Sequence, residues 1–321
     1  MTTNLDAIVI GGGLAGLAAG LRLRRQRPDA RIAVLEARPE PGGEVRTVRS
    51  NGFVCELGPF AFARDEVQPV LDLLARPPRV VAAADDLEGA WFDGEQLHHI
   101  AVEPAPVSFA TGCEELVQAC RRELGDSLRL GRAVTKVLPI DADGGVGGVG
   151  FDVTLGGEVP TTVRANELVV AVDTADAAQL LFAFDPMLPE VGQHIGREAR
   201  AMVFLGGLAA EAPELRGYGV LAGDDVPGPA REAIFCNEVF PNRALRDRCL
   251  ARVELHCDRE PDDATCEALA EQALRRWTGT AAAFGFRKVH RFTTPQRGGA
   301  YAECRARIAE LTRRVPGLST T

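Results

Sequence analysis

Residues 5–10 form a short, largely apolar run, the pattern of a strand buried on both faces of a parallel sheet. Gly11-Gly12-Gly13-Leu14-Ala15-Gly16 follows, and then Leu14, Leu17, Ala18 and Leu21 recur at helical spacing to about Gln26. Arg22, Arg24, Arg25 and Arg27 occupy the last turns, where they complement the negative helix end. Pro28 and Asp29 stop the helix, and residues 31–35 read as a second strand closed by Glu36. The opening is therefore strand, Gly-rich turn, helix, strand, the start of an α/β Rossmann-type unit.

Further along, residues 65–76 predict a helix with Val67, Val70, Leu71 and Leu74 on one face. Residues 91–97 predict a hairpin turning at Asp93-Gly94. Thr111 and Glu114 have the spacing of a capping box. Residues 128–137 read as strand, 141–150 as a Gly-rich hairpin loop, and 151–155 with 159–163 as a pair. Residues 167–172 read as a buried strand followed by a helix over 175–182. Apolar stretches at 203–207, 217–222, 233–238 and 251–257 predict a second sheet. Helices are expected over 262–277, with Ala264, Leu269, Ala273 and Leu274 inward, and over 303–314.

The Gly-rich turn carries chemistry. Gly11 makes the tight strand-to-helix turn, Gly13 lets a pyrophosphate approach the backbone, and Gly16 lets the helix pack on the strand. The helix N-terminus offers free N–H groups and positive dipole to phosphate. Glu36 follows Gly16 by 20 residues, a spacing that places its carboxylate on a ribose diol. A dinucleotide site is the expectation.

The 321 residues carry a formal net charge of −9, which argues against a nucleic-acid or anionic-membrane surface. The first residues have no basic signal-peptide region, and no apolar run of about 18 residues exists to span a bilayer. Eight cysteines lie scattered without a CxxC, consistent with reduced thiols in a cytoplasmic protein. The histidines, His98 and His99 among them, form no metal-binding pattern. Cys113 reads as a packed thiol and His290 as a structural or surface residue.

Glu36-Ala37, followed by Gly42-Gly43 and Arg46-Thr47, resembles the flavin amine oxidase superfamily, which includes monoamine oxidases, carotenoid desaturases and protoporphyrinogen oxidases. Glu56-Leu57-Gly58-Pro59, with Phe60 after it, resembles the protoporphyrinogen/coproporphyrinogen oxidase branch of porphyrin biosynthesis. Residues 109–117, Ala133-Val134-Thr135, His290-Arg291-Phe292, Pro295-Gln296 and Val315-Pro316-Gly317-Leu318 resemble later family segments. Three positions depart from the pattern. Glu44 stands where Arg is common, Phe60 where some members are polar, and Asp173 where a Pro is expected.

The resemblance implies FAD, held by Gly11, Gly12, Gly13, Leu14, Ala15, Gly16, Glu36, Ala37, Gly42, Gly43, Glu44, Arg46, Thr47, Gly58, Pro59, Phe60 and, through its backbone, Val134. It implies a Rossmann-type FAD-binding domain (1–64, 110–182 and 296–321) interleaved with an α+β substrate domain (65–109 and 183–295). It implies hydride transfer from a substrate C–H to flavin N5, with oxygen as acceptor and no side-chain catalyst indicated. The family's helical insertion between His99 and Phe109, and its final flavin-capping helix, have no counterpart in the pattern. Three readings follow: a protoporphyrinogen-oxidase-like enzyme, an amine oxidase or desaturase, or a degenerate FAD-binding chain without activity. The expected partner is a small-molecule substrate, and the pattern leaves room for a homo-oligomer or a complementing chain.

Overall fold

The computed structural model describes residues 3–84, 87–141, 149–223, 225–257 and 261–321. The first sheet forms around β1 (Thr3–Ile10), α1 (Leu14–Gln26) and β2 (Ile32–Leu35). Its strand order is Val134–Asp141, Val149–Leu155, Thr161–Val170, β1, β2 and Leu128–Arg129, with Leu318–Thr320 also beside Thr161–Val170. β1 lies parallel to both β2 and Thr161–Val170. Ala7, Ile8 and Val9 are fully buried, as their apolar run requires of a central strand. α1 buries Leu17, Leu21 and Leu23 on this sheet, each worth about 1.5–3 kcal/mol of transfer free energy.

Residues 159–163 and 167–172, expected as separate strands, contribute to one continuous strand, Thr161–Val170. Its first half pairs antiparallel with Val149–Leu155, and its second half pairs parallel with Leu318–Thr320. One strand therefore closes a local hairpin and a long-range crossover. The Gly-rich residues 142–148 lie outside the described residues.

The second sheet has the order Phe286–Pro295, Arg197–Leu208, Arg248–Cys257, Ala230–Phe235, Gly219–Ala222, Glu88–Phe92 and Leu97–Ala101. The last two form the expected hairpin at Asp93-Gly94. The Asp263–Thr278 helix covers one face, burying Cys266, Ala270, Leu274 and Trp277. Its N-cap Asp262 accepts a bond from Thr265 N at 2.7 Å. Ala264, expected inward, is exposed, because the buried stripe starts two residues later.

Between the two sheets sits a hairpin of β3 (Thr47–Ser50) and β4 (Phe53–Glu56). Phe53 stacks on Phe286 of the second sheet at 4.6 Å and fills the space a side chain on Gly206 would need. Helix α2 (Arg64–Leu71) follows and is shorter than its pattern predicted; it contains Pro69. The capping box is not formed. The helix starts at Glu114 with Cys113 at its N-cap, and Thr111 N donates instead to Glu115 Oε2 at 3.1 Å. Among the described residues no helix is long and apolar enough to cross a membrane.

Candidate functional site

A groove of about 1390 Å³ runs along the carboxyl ends of β1 and β2 and on toward the second sheet. It is built around the Gly-rich turn. Gly11 has φ +106°, and a Cβ there would stand 2.3 Å from Ala171 O. A Cβ on Gly16 would meet Gly11 O at 2.0 Å, so α1 and the turn touch backbone to backbone. Gly13 is different. Its φ of −66° is ordinary, and a Cβ there would meet nothing within 4 Å, because it would point into the groove at the N-terminus of α1.

Glu36 closes the other side of the turn. It is 8% exposed. Its Oε2 accepts from Gly12 N at 2.6 Å and its Oε1 from Arg38 N at 2.8 Å. A carboxylate offers about four lone-pair sites, so two backbone bonds leave capacity for a diol. Gly42 N donates to Gly12 O at 2.7 Å, and Gly43, at φ +61°, brings its backbone against Gly13. The second glycine pair thus lies directly on the first.

Of the residues expected at the cofactor, Gly11, Gly13, Leu14, Ala15, Glu36 and Ala37 line this groove. So do Gly42, Gly43, Glu44, Pro59 and Val134. Six others do not. Gly12 lies behind the wall and holds Glu36, and Gly16 is spent on packing. Gly58 lies against Glu44, whose carbonyl a Cβ would meet at 2.0 Å. Phe60 is buried beside Phe240, with ring centroids 5.4 Å apart. Arg46 is exposed just beyond Glu44 and Val45. Thr47 is buried; its Oγ1 donates to Glu56 Oε2 at 2.7 Å and accepts from Glu114 N at 3.1 Å.

The far end of the groove was not legible in the sequence. Asp173 caps the Thr174–Leu180 helix, accepting from Ala175 N at 2.8 Å, and Arg197 of the second sheet stands 3.8 Å from it. Asp176 beside it is pushed up by burial and by Asp173. Arg197 and Thr293 bring the second sheet to the groove wall.

Beneath the Gly58-Pro59 turn lies a sealed ion pair. Glu56 and Arg243 have side chains 1% and 0% exposed, and Arg243 Nη2 stands 3.2 Å from Glu56 Oε1. Cys113 N donates to the same oxygen at 3.0 Å. Arg243 also donates to Phe109 O at 3.3 Å and to Ser108 Oγ. Burial pushes the Glu56 carboxyl up, against the pull of Arg243, Thr47 and Cys113 N. Cys113 is buried, with its thiol pushed up to about 12 by burial, so it is no nucleophile at neutral pH.

Residues 9–77 match the model of an NAD(P)-binding Rossmann-like domain. That stretch holds both glycine pairs, Glu36 and Gly58-Pro59. The stretch is similar to a dinucleotide-binding module.

The module resembles part of coproporphyrinogen III oxidase from Staphylococcus aureus, 35% identical over 54 residues, 17% of this chain and 12% of that protein. It also resembles chloroplastic protoporphyrinogen oxidase 1 from Arabidopsis thaliana, 38% identical over 63 residues, 19% and 12% of the two chains. The peroxisomal N(1)-acetyl-spermine/spermidine oxidase of Bos taurus is 39% identical over 70 residues, 22% and 14%. The match thus spans about an eighth of these relatives' lengths. The fold extends further. An Exiguobacterium sp. 255-15 protein assigned as a protoporphyrinogen oxidase superposes with a TM-score of 0.78 at 14% identity, over 100% of this chain and 94% of that one. A putrescine oxidase with bound putrescine superposes at 0.70 and 14% identity, over 100% and 94%. The Rossmann module and the two-sheet architecture are those of this group of oxidase structures.

Proposed function

We propose that this protein is an FAD-dependent oxidoreductase of the protoporphyrinogen-oxidase-like type. The observation that carries the reading is the position of Gly42-Gly43. They lie against Gly12 and Gly13, and the groove continues past them, by Glu44 and Pro59, to the second sheet. A simple Rossmann site has no use for a second Gly pair or for that extension.

The residues fit the cofactor. Gly13 leaves open space where a pyrophosphate would meet the N-terminus of α1. Glu36 is held by two backbone N–H groups facing the ribose position. Val134 lines the same groove, where the resemblance puts a backbone contact to the adenine. Bound FAD supplies a two-electron acceptor for removing hydrogen from a substrate C–H bond, with oxygen as final acceptor. The chain binds and orients. Glu44 and Pro59 flank the groove's extension, and the sealed Glu56–Arg243 pair fixes the turn that carries Pro59. The apolar cluster of Phe53, Leu57, Phe60, Phe204 and Phe240 excludes water beside it.

An amine oxidase is the second reading, supported by the likeness to putrescine oxidase and to the bovine spermine/spermidine oxidase. It uses the same cofactor site. Anaerobic mixing of the FAD-loaded protein with coproporphyrinogen, and separately with putrescine, tests both. Bleaching of the flavin bands by coproporphyrinogen, reversed by air, is the expected result. Bleaching by putrescine alone selects the second reading, and bleaching by neither removes both.

A further inference from the structure

Two strands run parallel to β1, one on each side, and each delivers an acid to the Gly-rich turn. On one side β2 leads into Glu36, and Gly11 N donates to Leu35 O at 2.8 Å. On the other side the strand Thr161–Val170 ends against the same turn. Ala171 N donates to Ile10 O at 2.8 Å. A Cβ on Gly11 would stand 2.3 Å from Ala171 O and 3.1 Å from Val172 Cγ1. Asp173 is the next residue. Neighbouring strands lie about 4.8 Å apart, so the backbones that carry Glu36 and Asp173 leave the sheet roughly 10 Å from each other, with the turn between them. Both acids line the groove.

Each acid is held by backbone and keeps capacity to spare. Glu36 accepts from Gly12 N and Arg38 N, one bond to each oxygen. Asp173 uses Oδ1 for both of its bonds, from Ala175 N at 2.8 Å and Asp176 N at 3.1 Å. Its Oδ2 accepts no hydrogen bond among the described residues; Arg197 Nη1, at 3.8 Å, is beyond bonding distance. The side chain is 35% exposed, so that oxygen is open to a ligand in the groove. A carboxylate can only accept. A phosphate has no proton to give it, and Arg197 beside it turns an ammonium group away. A hydroxyl suits it.

Capping the Thr174–Leu180 helix does not by itself call for an acid, since one oxygen serves both N–H groups and serine caps a helix as well. Nor does the family pattern, which has Pro at this position and so offers no side-chain acceptor there.

A dinucleotide lies across the strand ends of a Rossmann unit with its diphosphate at the central turn, and its two halves diverge to either side. Glu36 marks the adenosine side. The other half of FAD begins with the ribityl chain, a run of hydroxyls. We propose that Asp173 Oδ2 accepts a hydrogen bond from a ribityl hydroxyl of FAD, so that one acid on each side of β1 holds one sugar part of the cofactor. This rests on the FAD reading for what occupies that side. Arg197 offsets the repulsion between the Asp173 carboxylate and the diphosphate.

Calorimetric titration of FAD, and of ADP, which lacks the ribityl and flavin half, tests the proposal on the wild-type chain and on Asp173→Ser and Asp173→Thr. Both variants keep a helix cap and lose the carboxylate. Each is expected to bind FAD about tenfold more weakly than wild type and ADP as tightly as wild type. Glu36→Gln, on the adenosine side, is expected to weaken both ligands. FAD binding unchanged in the Asp173 variants, an equal loss of FAD and ADP affinity in them, or ADP binding untouched by Glu36→Gln overturns the two-sided arrangement, while FAD uptake by the wild type leaves the cofactor reading standing. A wild-type chain that takes up no FAD overturns both.

Discussion

Gly11, Gly13 and Gly16 occupy one motif for different reasons, and substitutions separate them. Gly11→Ala forces a Cβ to 2.3 Å from Ala171 O at a φ of +106°, and should cost roughly 2–4 kcal/mol in urea unfolding. Gly13→Ala meets no atom and has an ordinary φ. It should leave the urea midpoint in place while weakening FAD by about tenfold, roughly 1.4 kcal/mol. Equal loss of stability in both would contradict the assignment of Gly13 to the ligand. These three glycines were legible in the sequence because the strand, the helix period and Glu36 surround them locally. Asp173 was not, since a departure from the family pattern shows neither which helix the acid caps nor that it lines the groove. Glu232 allows a pH test. Burial raises its folded pKa above the unfolded carboxylate value, so the native state holds the proton longer. Its contribution to stability is fully present below the unfolded value, and is lost as pH rises through the folded one. Wild type should therefore lose stability relative to Glu232→Gln as pH rises above the ordinary carboxylate range. A pH-independent difference in urea midpoints would show that the carboxyl is not shifted.

At the scale of elements, β3 and β4 form the joint between the two sheets, and the Glu56–Arg243 pair locks it. Removing one partner leaves a buried charge alone, so Arg243→Met should cost about 3–5 kcal/mol. The Glu56→Leu/Arg243→Met double variant should recover much of that, because an apolar pair of similar volume suits a sealed site. A double variant as unstable as the single one would mean that the ion pair itself, rather than its burial, holds the joint. Glu56 could be read from its place before Gly58-Pro59. Arg243 could not, because its turn at 241–243 carries no motif and its partner is remote in the chain. The strand Thr161–Val170 shows a similar limit. Its polar residues Arg164, Asn166 and Glu167 interrupt the apolar pattern where it changes neighbours, from a hairpin strand to Leu318–Thr320.

For the whole molecule, one groove begins at a dinucleotide module and ends where a second sheet presents Arg197 and Thr293. The α/β module was foreseen in its strand, turn and helix. The junction was not, because it depends on where the Thr174–Leu180 helix and the Arg197–Leu208 strand meet in space. The central claim is that this groove holds FAD, and a calorimetric titration of FAD against NADH into the wild-type and Gly13→Ala chains tests it most directly. FAD binding to wild type with little response to NADH, and FAD binding weakened by about tenfold in Gly13→Ala, is the predicted result. Tighter binding of NADH than FAD, or FAD binding indifferent to Gly13, would contradict the account.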